Sequence, residues 1–403
     1  MLAAITPVRS LLLAIFMLMA GSGFMATLLS LRLERAGQST IVIGAVATAY
    51  FAGLVIGALR SGRAVRRVGH IRAFAAFVAL LSASTLGYAL FNHPLLWSGL
   101  RFIDGVCVAG VFVCLESWLN ERATVEARGS ILAAYMVSLY CGQAIGQLLL
   151  GASGDLPAVP FQLASMLISL SIIPLCLTRT SAPPPAEASS FGIATLFAGS
   201  PLGTVGAVTT GLMLGAFYGL AAVQVRRLGL DLKQTANFMT IVILGGVALQ
   251  WPLGRLSDLY DRRQVIVLSF AATLCVSLAI SLLASAGPAL LILGAMFGGL
   301  SFALYPLCVA HCNDRLLGSQ RVAASGRLVL LYSVGAALGP IGGALFMTGW
   351  STGGLFLFIA LCAGGTAAFG LWRQKAILPR TTPIASLLDP NTPDAPAVEG
   401  QQP

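Results

Sequence analysis

Charged residues are scarce in this sequence. Of its 403 residues only 9% are charged, whereas 57% are hydrophobic and the mean hydropathy is +0.88. A soluble domain carries about 25% charged residues. The few charged residues of this sequence could not solvate the surface of a water-soluble protein of this size. Apolar runs of about twenty residues recur, and each is long enough to cross ~30 Å of hydrocarbon. The composition excludes a soluble globular domain and predicts a polytopic membrane protein.

Motifs of catalysis and metal binding are also lacking. The eight cysteines all lie within apolar runs and provide no disulfide framework. No P-loop, H-E-x-x-H or G-x-G-x-x-G motif occurs. Gly349-Trp-Ser-Thr-Gly353 matches G-x-S-x-G without the strand–turn–helix that this motif needs. Cys308, His311 and Cys312 share a helix face. Because no second cluster of zinc ligands occurs elsewhere in the sequence, we favour helix packing over zinc binding for these residues. We expect no enzyme, no cofactor and no metal.

The apolar runs predict an all-α membrane protein with 12 transmembrane helices, because backbone groups in lipid must be hydrogen-bonded within their own segment. The first six predicted spans are Leu11–Leu31, Ile41–Leu59, Ala73–Phe91, Leu95–Leu119, Ser130–Leu150 and Phe161–Leu177. The second six are Leu202–Val225, Phe238–Leu253, Val265–Leu283, Ala289–His311, Val322–Met347 and Leu355–Leu371.

Basic residues in the loops predict the orientation. With the N-terminus inside, 18 of the 24 basic residues fall on the cytoplasmic side, as the positive-inside rule requires. We therefore expect both termini in the cytoplasm. The near absence of lysine beside many Arg, Ala and Gly residues indicates a GC-rich bacterial genome, and so a bacterial inner membrane.

The same reading divides the chain into four parts. Residues 1–177 form a first six-helix half and residues 202–378 a second one. Between them, residues 178–201 carry a Pro-rich stretch and are expected to be an irregular cytoplasmic linker. Residues 379–403 hold six prolines and no apolar run, which predicts a disordered cytoplasmic tail.

The two halves share an internal repeat. At an offset of 192, five residues of the first half recur in the second, namely Gly23, Arg35, Gly37, Gly62 and Arg63. At an offset of 193, Gly105 matches Gly298 and Asn120-Glu-Arg122 matches Asn313-Asp-Arg315. Matches for Gly129, Tyr135, Gly142 and Gly146 lie at 197, which suggests a slowly growing offset. Both halves enter the membrane from the same side, so we expect two parallel six-helix repeats.

This organisation resembles the major facilitator superfamily of transporters. Gly254-Arg-Leu-Ser-Asp258-Leu-Tyr-Asp-Arg262-Arg263, after the eighth span, resembles the family's signature loop. The resemblance implies that Gly254, Asp258, Arg262 and Arg263 belong to a latch that holds the cytoplasmic ends of the halves together. A carboxylate at a helix end, paired with Arg, is worth roughly 1–2 kcal/mol and can break reversibly.

The first-half copy of this loop departs from the family pattern. It contains Arg63, Arg66 and Arg67, and Arg66 stands where the acidic residue is expected. A cluster that only sets topology is therefore the alternative interpretation. Glu116, at the cytoplasmic boundary of the fourth span, is predicted to pair with this basic loop as part of the cytoplasmic gate.

Further stretches resemble one bacterial branch of the superfamily, the YcaD-like transporters. They include Arg101-Phe-Ile-Asp-Gly105, Glu116-Ser-Trp, Arg128-Gly-Ser-Ile-Leu-Ala-Ala-Tyr135, Gln250-Trp-Pro-Leu-Gly and Ala303-Leu-Tyr-Pro306. Small residues at four-residue spacing predict close helix packing on the fifth and eleventh spans. These helix-packing residues are Gly142, Gly146, Gly335, Gly339, Pro340 and Gly343.

Charges inside the membrane carry most of the functional information, because each costs ~2.5–3.5 kcal/mol at mid-depth. A rise of 1.5 Å per residue puts Arg101 about 9 Å and Asp104 about 13 Å from the outer end of the fourth span. The two residues are spaced i, i+3 and can pair on one helix face. One interpretation is a self-neutralised structural pair. The other makes them the core of a transport pathway, with Asp104 carrying a proton and Arg101 anchoring the solute.

Polar residues of the other spans complete the predicted pathway. They are Tyr50, Gln143, Gln147, Tyr218, Gln224, Gln250, Tyr305 and Tyr332, and each could equally serve ordinary interhelical hydrogen bonding. The sequence thus predicts a monomeric secondary transporter in the lipid bilayer that moves a small solute, coupled to protons in the fullest form of the hypothesis, and that binds no nucleic acid. The alternative is a sensor or scaffold with the same fold.

Overall fold

A computed structural model describes residues 8–91, 93–122, 128–153, 156–177, 192–283, 287–314, 318–350 and 353–377. Regular structure in these segments is helical, and 12 helical stretches are long and apolar enough to cross a membrane. The predicted all-α class and the number of spans are therefore confirmed.

The spans are numbered here in chain order. Spans 1 to 6 consist of Arg9–Ser22 with Met25–Arg35, Thr40–Val68, His70–Leu90, Pro94–Arg122, Arg128–Ala152, and Val159–Leu170 with Ile173–Cys176. Spans 7 to 12 consist of Pro201–Arg227, Leu232–Leu259, Arg262–Ser281, Pro288–Asn313, Gly318–Gly349 and Gly354–Ile377. We call the end of the bundle that carries Arg9, Arg60–Arg72 and Arg255–Arg263 the basic end, and the other one the opposite end.

Equivalent turns connect the first two spans of each half. Gly37 ends span 1 with φ +73° and Gly229 ends span 7 with φ +98°, a backbone region that favours glycine. Ser39 then caps span 2, and Asp231 forms a capping box with Gln234 at the start of span 8. The repeat seen in the sequence therefore extends to the local chemistry of the loops.

Glycine contacts fix the register of the repeat. A Cβ on Gly142 would collide with the Phe16 carbonyl, and one on Gly335 with the Val208 carbonyl. Gly146 and Gly339 meet the Ala20 and Leu212 carbonyls in the same way. Gly142 and Gly146 are thus equivalent to Gly335 and Gly339, at an offset of 193. The predicted drift to 197 was wrong here, because glycine recurs every four residues on span 11 and a register one turn away matches equally well.

Two hydrogen bonds related by the repeat join the halves. The Thr48 hydroxyl of span 2 donates to the Ala337 carbonyl of span 11 at 2.8 Å. The Thr240 hydroxyl of span 8 lies 3.5 Å from the Ala144 carbonyl of span 5. Thr48 lies eight residues after the first residue of span 2, and Thr240 lies eight residues after the first residue of span 8. Both spans begin at the opposite end, so each threonine is about 12 Å from that end along its helix axis. Cross-half contacts therefore lie in the part of the bundle nearer the opposite end.

The last part of the predicted linker is helical. Residues 178–191 lie outside the described residues, as do residues 378–403 of the predicted tail. Ile193–Gly199 form a short helix, and its Leu196 is buried against Ala207 and Leu328. The expectation of irregular structure up to residue 201 was wrong for this segment, because one apolar side chain suffices to dock a short helix on the bundle.

Candidate functional site

A cavity of about 290 Å³ lies between the halves. Spans 1 to 5 supply most of its lining, and Tyr218, Gly219 and Tyr332 come from the second half. Six of the predicted pathway residues lie on its wall, namely Tyr50, Arg101, Asp104, Gln143, Tyr218 and Tyr332. The structure therefore brings together polar groups that are up to 282 positions apart in the chain (50 to 332).

Arg101 and Asp104 lie deep in the bundle and share one face of span 4. The two residues are 6% and 2% exposed, and Arg101 Nη1 lies 3.8 Å from Asp104 Oδ2. This separation is an ion pair but exceeds hydrogen-bonding distance. The Tyr88 hydroxyl donates to Oδ2 at 2.5 Å. Oδ1 is buried and has no hydrogen-bond partner in the described part of the chain.

An aromatic ring also contacts the Arg101 guanidinium. Its Cζ lies 4.3 Å from the centroid of the Tyr50 ring, within cation–π range. Among the described residues it makes no hydrogen bond, although a guanidinium has five N–H donors. These donors are available to an acceptor that enters the cavity.

Close helix packing creates this geometry. A Cβ on Gly53 would collide with the Phe102 carbonyl, and one on Gly105 with the Tyr50 carbonyl, so spans 2 and 4 approach closely only because both residues are glycine. This approach places the Tyr50 ring over Arg101. On the other side of span 4, Tyr88 of span 3 packs against Trp97, with ring centroids 5.8 Å apart, and this contact fixes its hydroxyl toward Asp104.

Two functional candidates were missed from the sequence. Tyr88 holds Asp104, and Tyr140 lines the cavity with its ring stacked on Phe302 at 5.6 Å. A signal existed for Tyr140, since it lies three residues before Gln143 and shares its helix face. Tyr88 gave no such signal, because its partner is 16 positions away on another span.

Four predicted pathway residues lie outside the cavity wall. Gln147 donates to Gly23 O and Thr27 Oγ1, both at 3.2 Å, and so joins spans 5 and 1. The Gln224 side chain accepts from Leu355 N at 3.4 Å. Tyr305 packs behind Tyr332, with ring centroids 4.9 Å apart, and Gln250 is partly exposed elsewhere on span 8. For Gln147 and Gln224, the structure therefore shows interhelical hydrogen bonding.

The signature loop forms an ion-pair cluster within the second half. Arg262 reaches Asp258 at 2.6 Å and Asp314, at the end of span 10, at 2.7 Å. The Arg263 backbone amide donates to Asp261 Oδ1, and Gly254 leaves open space where a side chain would stand. The cluster ties the loop between spans 8 and 9 to span 10.

The first-half copy of this loop is built differently. Arg63, Arg66 and Arg67 are exposed, and so is Glu116, which pairs with none of the described residues. The structure thus does not bring Glu116 together with the basic loop. At the position of Arg262, an offset of 192 places His70, which packs on the Trp118 ring at 5.9 Å.

An ion pair that sequence reasoning missed joins the halves at the opposite end. Arg227 Nε of span 7 lies 3.0 Å from Glu34 Oε1 of span 1, and Arg227 Nη2 donates to Thr40 Oγ1 at 3.0 Å. The repeat contained a hint, because Arg227 is equivalent to Arg35, the neighbour of Glu34. A sequence repeat shows which positions of the two halves are equivalent. It does not show which residues of one half contact residues of the other, so this ion pair could not be predicted from it.

Metal-binding geometry is not found in the described segments, where no group of three or more His, Cys, Asp or Glu side chains could hold an ion. Cys308 and Cys312 are buried and instead contact the glycine surface of span 7 at Gly206 and Gly203.

Twelve spans in two repeats around a charged cavity define a multi-pass membrane protein with a transporter architecture. The family model described as Major Facilitator Superfamily matches residues 11–236 and 203–396. The chain belongs to the major facilitator superfamily. It is 32% identical over 357 residues, 88% of this chain and 92% of the other, to the uncharacterized MFS-type transporter YcaD of Salmonella enteritidis. The predicted YcaD-like branch is therefore confirmed.

Solved structures share the fold at low identity. A bacterial homologue of the human lysosomal transporter Spinster, in an inward-facing and unoccupied conformation, aligns with a TM-score of 0.76 and 13% identity, covering 92% of this chain and 97% of the other. A D-xylose–proton symporter aligns with a TM-score of 0.72 and 14% identity, over 92% and 97% of the two chains. The family is one of membrane transporters.

Proposed function

We propose that this protein is a secondary transporter that moves a small solute across the bacterial inner membrane by alternating access, with Asp104 as the proton carrier. One observation carries the proposal: the buried Arg101–Asp104 pair lies on the wall of a cavity between two parallel repeats. Alternating-access proteins bind their solutes near the midplane at such a repeat interface.

The geometry supports a functional pair more than a structural one. A pair kept only for packing would satisfy its own hydrogen bonds, since burying charges is costly. Here Arg101 and Asp104 lie 3.8 Å apart, Asp104 Oδ1 has no partner among the described residues, and the guanidinium faces the cavity. Polar groups that the protein itself leaves unpaired on a cavity wall at membrane depth favour a functional role for the pair.

Proton and solute would be linked through the charge on Arg101. When Asp104 is ionised, it balances Arg101 and accepts a hydrogen bond from Tyr88. When Asp104 is protonated, the Arg101 charge is left for a solute acceptor. Binding of the solute and of the proton would then favour each other by the same factor, as linkage requires.

Gates at the two ends would alternate. The Glu34–Arg227 ion pair closes the opposite end, which the loop charges assign to the periplasm. At the basic end, Asp258 and Arg262 are the proposed latch, which in the present arrangement stays within one half. Residues 1–177 and 202–378 would move as the two rigid halves of a protein that we propose to be a monomer.

Unbiased flux tests this function without knowledge of the solute. Proteoliposomes with a pH gradient, acid outside, would be incubated in a defined mixture of amino acids, sugars, nucleosides and organic acids, and mass spectrometry would measure what accumulates inside. We expect protein-dependent accumulation of one compound class, abolished in Arg101→Gln/Asp104→Asn and retained in Arg373→Gln, which removes a charge far from the cavity. Folded protein without accumulation would indicate the sensor or scaffold, and conversion of a compound without accumulation an enzyme.

A further inference from the structure

The cavity wall has a biased chemistry. Its polar side chains are one ion pair (Arg101 and Asp104), one amide (Gln143), four tyrosines (Tyr50, Tyr140, Tyr218 and Tyr332) and three small hydroxyls (Ser22, Ser30 and Thr85). Most remaining side chains are apolar, among them Met25, Leu29, Ile43, Val46, Phe51 and Leu54. The three small hydroxyls already donate to carbonyls of their own helices, so a solute with many hydroxyl groups would leave some of them unpaired, at a cost for each one. The wall therefore fits a body that is mostly apolar.

The polar part of the solute follows from Arg101. Its guanidinium is stacked on Tyr50, makes no hydrogen bond among the described residues and faces the cavity. A carboxylate matches the planar fork of a guanidinium through two parallel hydrogen bonds. Asp104 does not fulfil this role, since it lies 3.8 Å away and accepts from Tyr88.

Charge balance limits the solute to one negative charge. Among the lining residues, Arg101 is the sole basic side chain and Asp104 the sole acidic one. Tyr50 and Tyr88 are the titratable groups that face the pair from spans 2 and 3. With Asp104 protonated, Arg101 and a monoanion are neutral together, whereas a dianion would leave an uncompensated charge in a low-dielectric site. A volume of about 290 Å³ is at the small end for ligand sites, which run from ~300 to 1,000 Å³.

We propose that the solute is a small amphipathic monocarboxylate, with its carboxylate on Arg101 and its aromatic or branched aliphatic body against spans 1 and 2. This inference rests on the proposed transport function. It accounts for why one half carries the charges and the other contributes two tyrosine hydroxyls and a glycine to the wall.

Binding to purified protein tests the solute class independently of flux. Isothermal titration calorimetry at pH 6 would compare benzoate, 3-phenylpropionate and 4-methylpentanoate, each with its neutral amide. We expect at least one acid to bind tenfold or more tightly than its amide, and this preference to fall below threefold in Arg101→Gln while Arg373→Gln keeps it. If Arg101→Gln does not fold, Arg101→Gln/Asp104→Asn, which removes both buried charges, takes its place.

Three results would overturn the inference: acids and amides that bind alike, a preference that survives loss of Arg101, or no binding of any probe at millimolar concentration. Its failure is distinguishable from failure of the transport function. Accumulation of a neutral sugar or nucleoside in proteoliposomes would refute the monocarboxylate and leave transport intact. Arg101-dependent binding of an acid without any flux would support the solute class and refute transport.

Discussion

Asp104 has two oxygens in different situations. Oδ2 accepts from Tyr88, and Oδ1 is buried without a partner in the described part of the chain. An ionised carboxylate accepts at both oxygens, whereas a protonated one donates from one of them. The unpaired oxygen is therefore the one at which a proton, once taken up, changes the hydrogen bonding of the site least.

Variants of the pair separate a transport role from a structural one. Arg101→Ala leaves Asp104 buried without its counter-ion, which we expect to cost about 3–5 kcal/mol of unfolding free energy. Asp104→Asn keeps an acceptor for Tyr88, so it should fold, and its flux should lose pH dependence while solute exchange persists. The double variant should regain stability without regaining flux.

These outcomes are measured by thermal unfolding and by flux at matched amounts of protein. A double variant that regained both stability and flux would make the pair structural. The solute site would then have to lie elsewhere on the cavity wall.

Sequence reasoning identified Arg101, Asp104 and Tyr50 but not Tyr88, and the difference is physical. A buried charge is costly wherever it lies, so its presence alone is informative. A tyrosine occurs commonly in an apolar span, so its presence alone does not indicate a function. Only the packing of span 3 against span 4 in the structure shows that Tyr88 contacts Asp104. Gln147 and Gln224 lie outside the cavity wall and make interhelical hydrogen bonds, the alternative left open for them, because an amide can satisfy itself on a neighbouring backbone.

At the scale of helices, glycines and threonines organise the contacts between spans. Glycines let spans 2 and 4, and spans 1 and 5, approach until backbones touch, and their equivalents do the same in the second half. The span pattern was predictable from hydropathy and the glycine stripes from spacing. The cross-half bonds of Thr48 and Thr240 were not, since a threonine that bonds its own helix has the same sequence signature.

The two threonine bonds should differ in strength. Thr48→Val removes a 2.8 Å bond between the halves, worth about 0.5–1.5 kcal/mol, whereas Thr240 is 3.5 Å from Ala144 O and only 2.9 Å from Ala236 O of its own helix. We expect Thr48→Val to loosen the opposite end and Thr240→Val to change it little.

Spin labels on Ala158 and Lys233, both exposed at the opposite end, would report the separation in a background that lacks the exposed Cys176 and Cys275. Thr210→Val is the matched control, because Thr210 bonds Gly206 within its own span. Equal distance distributions for Thr48→Val and the control would rule out this role.

The loop between spans 8 and 9 provides a second test at this scale. Asp258→Asn removes the ion pair with Arg262 and, with it, the proposed latch, so the basic end should open more often without loss of the fold. In a background that lacks the exposed Cys176 and Cys275, labelling of Phe112→Cys on the cavity wall, by a membrane-impermeant thiol reagent applied from the basic end, should become faster. Asp314→Asn leaves Asp258 with Arg262 and should not have this effect. Unchanged labelling in Asp258→Asn would remove the latch assignment.

At the scale of the molecule, the two halves share a scaffold but not a chemistry. Offsets of 192 and 193 put Val242, Gly294 and Phe297 where the first half has Tyr50, Arg101 and Asp104. Phe297 packs against Phe217 and Phe356, with ring centroids 5.1 and 5.6 Å apart. The first half therefore carries the charges of the cavity, and the second has apolar or small residues at the equivalent positions.

The orientation of the whole bundle is open to a direct test. Because the predicted topology puts 18 of the 24 basic residues on the cytoplasmic side, reporter fusions after Arg179 and after Arg380 should both report a cytoplasmic location. Alkaline phosphatase and fluorescent-protein fusions at the same positions give opposite signals and serve as controls for each other. A periplasmic signal at either position would refute the proposed topology.

The Glu34–Arg227 pair should control opening of the opposite end. Its side chains are 23% and 26% exposed, so we expect it to add only about 0–1 kcal/mol to stability. As the pair joins two halves, the same energy shifts the equilibrium between closed and open by up to roughly fivefold.

In intact cells lacking Cys176 and Cys275, an impermeant thiol reagent should label Ser30→Cys on the cavity wall faster in Glu34→Gln and Arg227→Gln. The exchange Glu34→Arg/Arg227→Glu should restore slow labelling, and Arg226→Gln, whose guanidinium bonds Leu230 O in its own half, should leave it unchanged. Equal labelling in all variants would mean that the pair does not gate the cavity, and the closure would then rest on the Thr48 bond and the glycine contacts alone.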